Sequence, residues 1–150
     1  MKNKLKNLQQ IFTPLIGGTI VSFIIKDSLN YQDMVKPLLA PPKIVFPIAW
    51  TILYLLIGYA YYKNRQVSEN KETMMLYYIG LILNFIWPII FFNFKLYLVA
   101  LFVICLLIGF TYLLFSNYKK ESPLSGTLLI FYLVWLIFAT YLNIGIYILN

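Results

Sequence analysis

The feature that most constrains this chain is a fivefold repetition of mainly apolar segments, each close to the length of a bilayer crossing and joined by short polar connectors. They run from about Leu8 to Ile25, Ile44 to Tyr62, Met74 to Phe92, Leu96 to Phe115 and Leu124 to Leu149. A spanning helix needs about 20 predominantly apolar residues. Inside lipid every backbone amide must find its partner within the protein, which leaves helices or a closed barrel. These segments are continuously apolar rather than alternating, so they predict helices and not barrel strands. The expected fold is all-α: a polytopic membrane protein whose residues 1–150 form a single five-transmembrane-helix bundle. Composition agrees, at 61% hydrophobic and 11% charged, against about 45–50% apolar and about 25% charged in soluble domains. A chain this short has too little interior to hide that much apolar surface from water.

The basic N-terminal stretch, "MKNKLKNLQQIF", resembles the start of a signal peptide. No small-residue cleavage site closes its apolar run, so it reads as a retained first span. The net charge of +7 comes from 12 basic residues scattered among the connectors, without a stripe or cluster. Nucleic acid is therefore not an expected partner. Eight of the 12 lie in the N-terminus and the second and fourth connectors. Basic connectors favour the inner face, which puts the N-terminus inside and the C-terminus outside, in what is expected to be a bacterial cytoplasmic membrane. The long proline-rich first connector, "KDSLNYQDMVKPLLAPPK", then faces outward as a lid. Five spans cannot divide into equal halves, which argues against an inverted-repeat transporter.

Histidine is absent, Cys105 is the sole cysteine, and no Asp, Glu, Lys or Arg falls centrally in a span. Neither an internal disulfide nor a cysteine metal site is expected. An ion-coupled pump lacks its relay groups, and a hydrolase lacks its general acids and bases. What the spans do carry is aromatic and neutral-polar. Helical spacing aligns Trp50, Tyr54, Ile57 and Tyr61 in the second span, and Gly80, Asn84, Trp87, Pro88 and Phe91 in the third. In the fifth, Trp135, Ala139 and Leu142 form a stripe edged by Asn143. The plain reading is interhelical packing, with asparagine as hydrogen-bonding glue, and Gly17, Gly18 and Ser22 as a small-residue face on the first helix. The sharper reading is a cavity walled by flat aromatics, suited to a large planar apolar ligand that one or two amides orient. Pro88 is expected to kink its helix and free a carbonyl.

Three segments carry a specific likeness: "KPLLAPPKIVFPIAWTILYLLIGYA", "NFIWPIIFF" and "YLVWLIFATYLN". In order, spacing and five-span layout the chain resembles the TspO/MBR family, over nearly its whole length. The resemblance implies a five-helix bundle, often dimeric, with a pocket open toward the first loop. It implies porphyrin as ligand, such as protoporphyrin IX, in a sensor, carrier or regulator of porphyrin levels that requires no cofactor. In some bacterial members it implies light- and oxygen-dependent porphyrin degradation, for which Trp50 and Trp135 match the tryptophans implicated. By the same motifs Asn84 and Asn143 match pocket-facing positions, Ala139 one tied to ligand affinity, and Tyr31, Pro41 and Pro42 the closing loop. With Tyr54, Trp87 and Phe91 from the stripes, these complete the candidate ligand site. Asn30 and Leu39 depart from the family pattern, each standing where an aromatic is common, and the C-terminal "LNIGIYILN" lacks the basic residue of a sterol pattern.

Overall fold

The computed structural model describes residues 2–29 and 31–150, so Asn30 lies outside the described residues. Five helices follow in order: α1 (Lys2–Ile25), α2 (Val45–Val67), α3 (Lys71–Pro88), α4 (Tyr97–Glu121) and α5 (Pro123–Leu149). All five crossings are long and apolar enough to span a membrane, the third only when the turn after α3 is included. Several helices outrun the apolar segments: α1 starts at Lys2, α2 continues to Val67 and α4 to Glu121. The added residues are mostly Lys, Arg, Glu, Gln and Asn. The charged ones and Gln are good helix formers, and their backbone bonds continue the ladder where lipid gives way to headgroups.

The helix starts obey local rules. Pro47 sits in the first turn of α2, where a missing amide proton costs little. Asn70 caps α3, its side-chain oxygen accepting from the Glu72 amide at 3.0 Å. Ser122 is extended and Pro123 opens α5. The hydroxyl of Ser122 makes no capping bond; it lies 3.0 Å from Ser125 Oγ, which donates across to the Ala60 carbonyl on α2. Pro88 ends α3, and the chain widens into a π turn at Ile89–Asn93 before Tyr97 starts α4. Such turns favour functional sites.

Neighbouring helices form a ring in the order α1, α2, α5, α4, α3, which a slighter α3–α1 contact closes. Large apolar side chains such as Ile20, Ile52, Ile82, Phe102 and Ile137 face outward over half exposed, the pattern of a lipid-facing surface. Inside, Tyr61 and Tyr77 stack at 3.9 Å with their planes 9° apart. The small face of α1 meets its neighbours closely: Gly17 lies on the Phe85 ring, Gly18 on the Tyr54 ring, and Gly58 of α2 against the backbone carbonyl of Ile11.

At the end of the bundle holding the α2–α3 connector, one carboxylate ties three elements together. Glu121 accepts from Asn64 Nδ2 and Asn70 Nδ2, both at 2.8 Å, and from Thr73 Oγ1 at 2.9 Å. Replacing it by glutamine keeps the shape but turns one acceptor into a donor facing donors. Glu121→Gln is expected to cost about 1–3 kcal/mol, read as a lower unfolding midpoint in detergent; an unchanged midpoint would show that the clamp carries no stability.

Candidate functional site

At the opposite end, α1, α2, α3 and α5 diverge around a cavity of about 760 Å³. That volume lies within the range of small-molecule sites. Gly18 and Val21 of α1, Trp50 and Tyr54 of α2, Asn84 and Trp87 of α3, Phe91 of the π turn, and Trp135, Ala139 and Asn143 of α5 contribute to its wall. The first loop roofs it with Tyr31 and Pro42. All three tryptophans of the chain therefore stand on one cavity.

The rings support one another. Trp50 stacks on Tyr54 at 5.5 Å, lies 6.5 Å from Trp87 and meets Trp135 edge-to-face at 6.0 Å. Trp87 stacks on Phe91 at 5.2 Å, and Phe46 links Trp135 to Tyr31. Because Trp50 and Trp135 touch at 86°, they leave no slot between them for a flat molecule. A planar ligand can stack only on the face of one indole, against the edge of the other.

Both asparagines line the cavity, yet their amides are engaged within the wall. Asn84 Oδ1 accepts from the Tyr54 hydroxyl at 2.7 Å, while its Nδ2 donates to the Tyr132 hydroxyl, tying α2, α3 and α5. Asn143 Oδ1 accepts from Trp87 Nε1 at 2.9 Å, and its Nδ2 donates to the Tyr97 carbonyl at 2.9 Å, tying α3, α4 and α5. These are the interhelical bonds expected of asparagine in a membrane bundle. They hold the ring faces and leave little of either amide to orient a ligand. Trp135 Nε1, by contrast, is buried with no hydrogen-bond partner among the described residues.

The lid is fastened to α5. Asn150 accepts from the Val35 amide at 3.1 Å and donates to the Val35 carbonyl at 2.8 Å. Tyr141 donates to the Leu38 carbonyl, and Gly145 leaves room for Pro37. Tyr31 donates to the Pro41 carbonyl at 2.8 Å, joining the two ends of the lid. Pro41 thus braces the roof without lining the cavity, the one candidate residue off its wall. Leu39 is 77% exposed and left-handed at φ 70°, in a turn closed by the Ala40 amide on the Pro37 carbonyl. An aromatic there would also point away from the cavity.

Leu142 of the fifth-span stripe lines the cavity, whereas Ile57, Tyr61 and Gly80 of the other stripes do not; wall residues outside the sequence-based set include Phe46 and Ile146, with Lys26 and Lys43 at the mouth. Phe46 and Ile146 were within reach of periodicity, since each lies one turn from a stripe residue. Tyr132, the partner of Asn84, was within the same reach, three residues before Trp135. Among the described residues no group of three His, Cys, Asp or Glu side chains could hold a metal ion.

Comparison with known proteins places this arrangement. The profile of the TspO/MBR family matches residues 10–149. The chain is 33% identical to the tryptophan-rich protein TspO of Archaeoglobus fulgidus, over 99% of each chain. It is 31% identical to the tryptophan-rich sensory protein of Cereibacter sphaeroides, over 80% of this chain and 76% of that one. With the human translocator protein it shares 34% identity, over 75% of this chain and 70% of the other.

Proposed function

The chain belongs to the TspO/MBR family, and from that premise we propose that its cavity binds a tetrapyrrole such as protoporphyrin IX, as a sensor, carrier or regulator of porphyrin levels. The observation that carries this reading is the convergence of all three tryptophans on one apolar cavity of about 760 Å³. A flat macrocycle gains most from such a wall, because each stacked ring adds to the area it already buries. The macrocycle lies on one face of Trp50 or Trp135. The family likeness and the relatives' names, sensory protein and translocator protein, support a role in detecting or passing on such a ligand. The protein sits in the bacterial cytoplasmic membrane with its N-terminus inside, supported by the excess of Lys and Arg on that side. The cavity then opens outward.

Titrating protoporphyrin IX into the purified protein should quench most of the tryptophan emission, saturably and at one site, since no tryptophan is remote from the cavity. Trp50→Leu and Trp135→Leu should each raise the dissociation constant roughly three- to tenfold, the value of one aromatic stack. Unchanged midpoints in both variants would remove the site. Illuminating the complex in oxygen reads the alternative activity: steady loss of the porphyrin absorption band, abolished in both variants, would make the protein an enzyme.

A further inference from the structure

Deeper in the bundle lies a second and much smaller pocket, and every residue of its lining is buried. Its volume is about 10 Å³, the room of a single water molecule. Tyr77 and Gly80 reach it from α3, Thr111 from α4 and Tyr132 from α5. Two of these residues bring hydroxyls that the protein leaves free. The Tyr77 hydroxyl is buried with no hydrogen-bond partner among the described residues. Thr13, Thr19, Thr51, Thr127 and Thr140 each turn their hydroxyl back to the carbonyl four residues earlier. Thr111, buried in the middle of α4, makes no such bond among the described residues. The Tyr132 hydroxyl, on the same wall, already accepts from Asn84. Gly80 completes the space: a methyl group there would meet nothing closer than Leu107 Cδ1 at 4.0 Å, although the residue is buried.

We propose that one water molecule is resident in this pocket, accepting from the Tyr77 hydroxyl and donating to Thr111 Oγ1, so that it bridges α3 to α4 beneath the larger cavity. Buried polar groups almost always find a partner, and a hydroxyl left alone in an apolar core forfeits its hydration without return. Pockets of this size stay dry where their lining is wholly apolar, whereas polar ones hold a water that makes two to four hydrogen bonds. Glycine at position 80 then keeps the water's place open, since any larger side chain would fill it. The bridge stands whatever the larger cavity binds.

NMR of the full chain in nanodiscs of deuterated phosphatidylcholine reads the water directly. Cross-relaxation from the Thr111 methyl and the Gly80 α-protons to a signal at the water frequency is expected in the wild type. At Thr111 it should vanish in Gly80→Ala, whose methyl group takes the water's place. The same variant reads the energetics. Alanine for a mid-helix glycine in open space is neutral or stabilising, and filling a dry void adds to that. Displacing a bound water instead strands both hydroxyls, so the unfolding midpoint of Gly80→Ala should fall by about 3–6 °C. Gly109→Ala, with nothing within 4 Å of its added methyl group, should show no such fall. Adding Tyr77→Phe and Thr111→Val to Gly80→Ala removes the stranded groups and should restore most of the loss. The Tyr118 hydroxyl is also unpartnered among the described residues but lies off the pocket, so Tyr118→Phe should restore none of it. A Gly80→Ala midpoint at or above that of the wild type, rescue by Tyr118→Phe as complete as by the pair, or no cross-relaxation in the wild type would each overturn the water bridge. Should Gly80→Ala fail to fold, the wild-type cross-relaxation decides alone.

Discussion

Gly58→Ala is expected to unseat α1 from the bundle. A methyl group at Gly58 would run into the backbone carbonyl of Ile11, with the Ile11 carbonyl carbon at 2.7 Å and its Cα at 3.1 Å. Backbone cannot turn aside as a flexible side chain can, so the two helices must separate. In a bilayer that separation is costly, because helix association there depends on close packing rather than on expulsion of water. The α1–α2 contact also holds Gly18 against Tyr54, so α1 would carry one wall of the cavity away with it. The expected loss is at least about 3 kcal/mol, at the upper end for overpacking a tight contact, together with loss of porphyrin quenching. Gly109→Ala is the internal control, since nothing lies within 4 Å of a methyl group there. Exchanging a mid-helix glycine for alanine in open space is neutral or stabilising by about 0.5–1 kcal/mol. Unfolding midpoints of the two variants in the same detergent should therefore move in opposite directions, or one only. A Gly58→Ala protein as stable as the wild type would mean that α1 can slide along α2.

The five crossings are legible in the sequence because lipid imposes a length and a polarity that soluble cores do not. Most of the cavity wall is legible too. Trp50 with Tyr54, Trp87 with Phe91, and Trp135 with Ala139 each recur at one helical turn and so must share a face. The place of Lys26 and Lys43 on the cavity is harder to see, because they sit in a connector where lysine is expected as a mark of the membrane surface. Gly58 escapes notice for a related reason. The small-residue signal is strong at Gly17, Gly18 and Ser22, whereas Gly58 is flanked by Ile57 and Tyr59, and its partner is a backbone atom with no side-chain identity. Glu121 reads as one of several charges beside a turn, and only the folded bundle brings Asn64, Asn70 and Thr73 to it. The asparagines show the limit most clearly. Their membrane depth predicts interhelical bonds, but whether those bonds face a ligand or another helix depends on Tyr132, 48 positions from Asn84.

Asn84→Leu should therefore cost more stability than its near-equal size suggests. The substitution brings in a better helix former and fills similar space, but it leaves the hydroxyls of Tyr54 and Tyr132 buried beside an apolar side chain. Each orphaned group costs about 1–3 kcal/mol, so the variant should lose about 2–6 kcal/mol. Its effect should reach the cavity as well, because Tyr54 is the ring on which Trp50 stacks. Removing the hydroxyls restores consistency: Asn84→Leu combined with Tyr54→Phe and Tyr132→Phe replaces the whole network by apolar contact. An emptied network is far less unfavourable than a half-satisfied one. The triple variant should accordingly be more stable than Asn84→Leu alone, although it carries two more substitutions. Denaturant or thermal unfolding of the wild type and the two variants gives the ordering directly. If the triple variant proves the weaker, the tyrosine hydroxyls are satisfied by something other than Asn84, and the amide is packing rather than the tie between α2, α3 and α5.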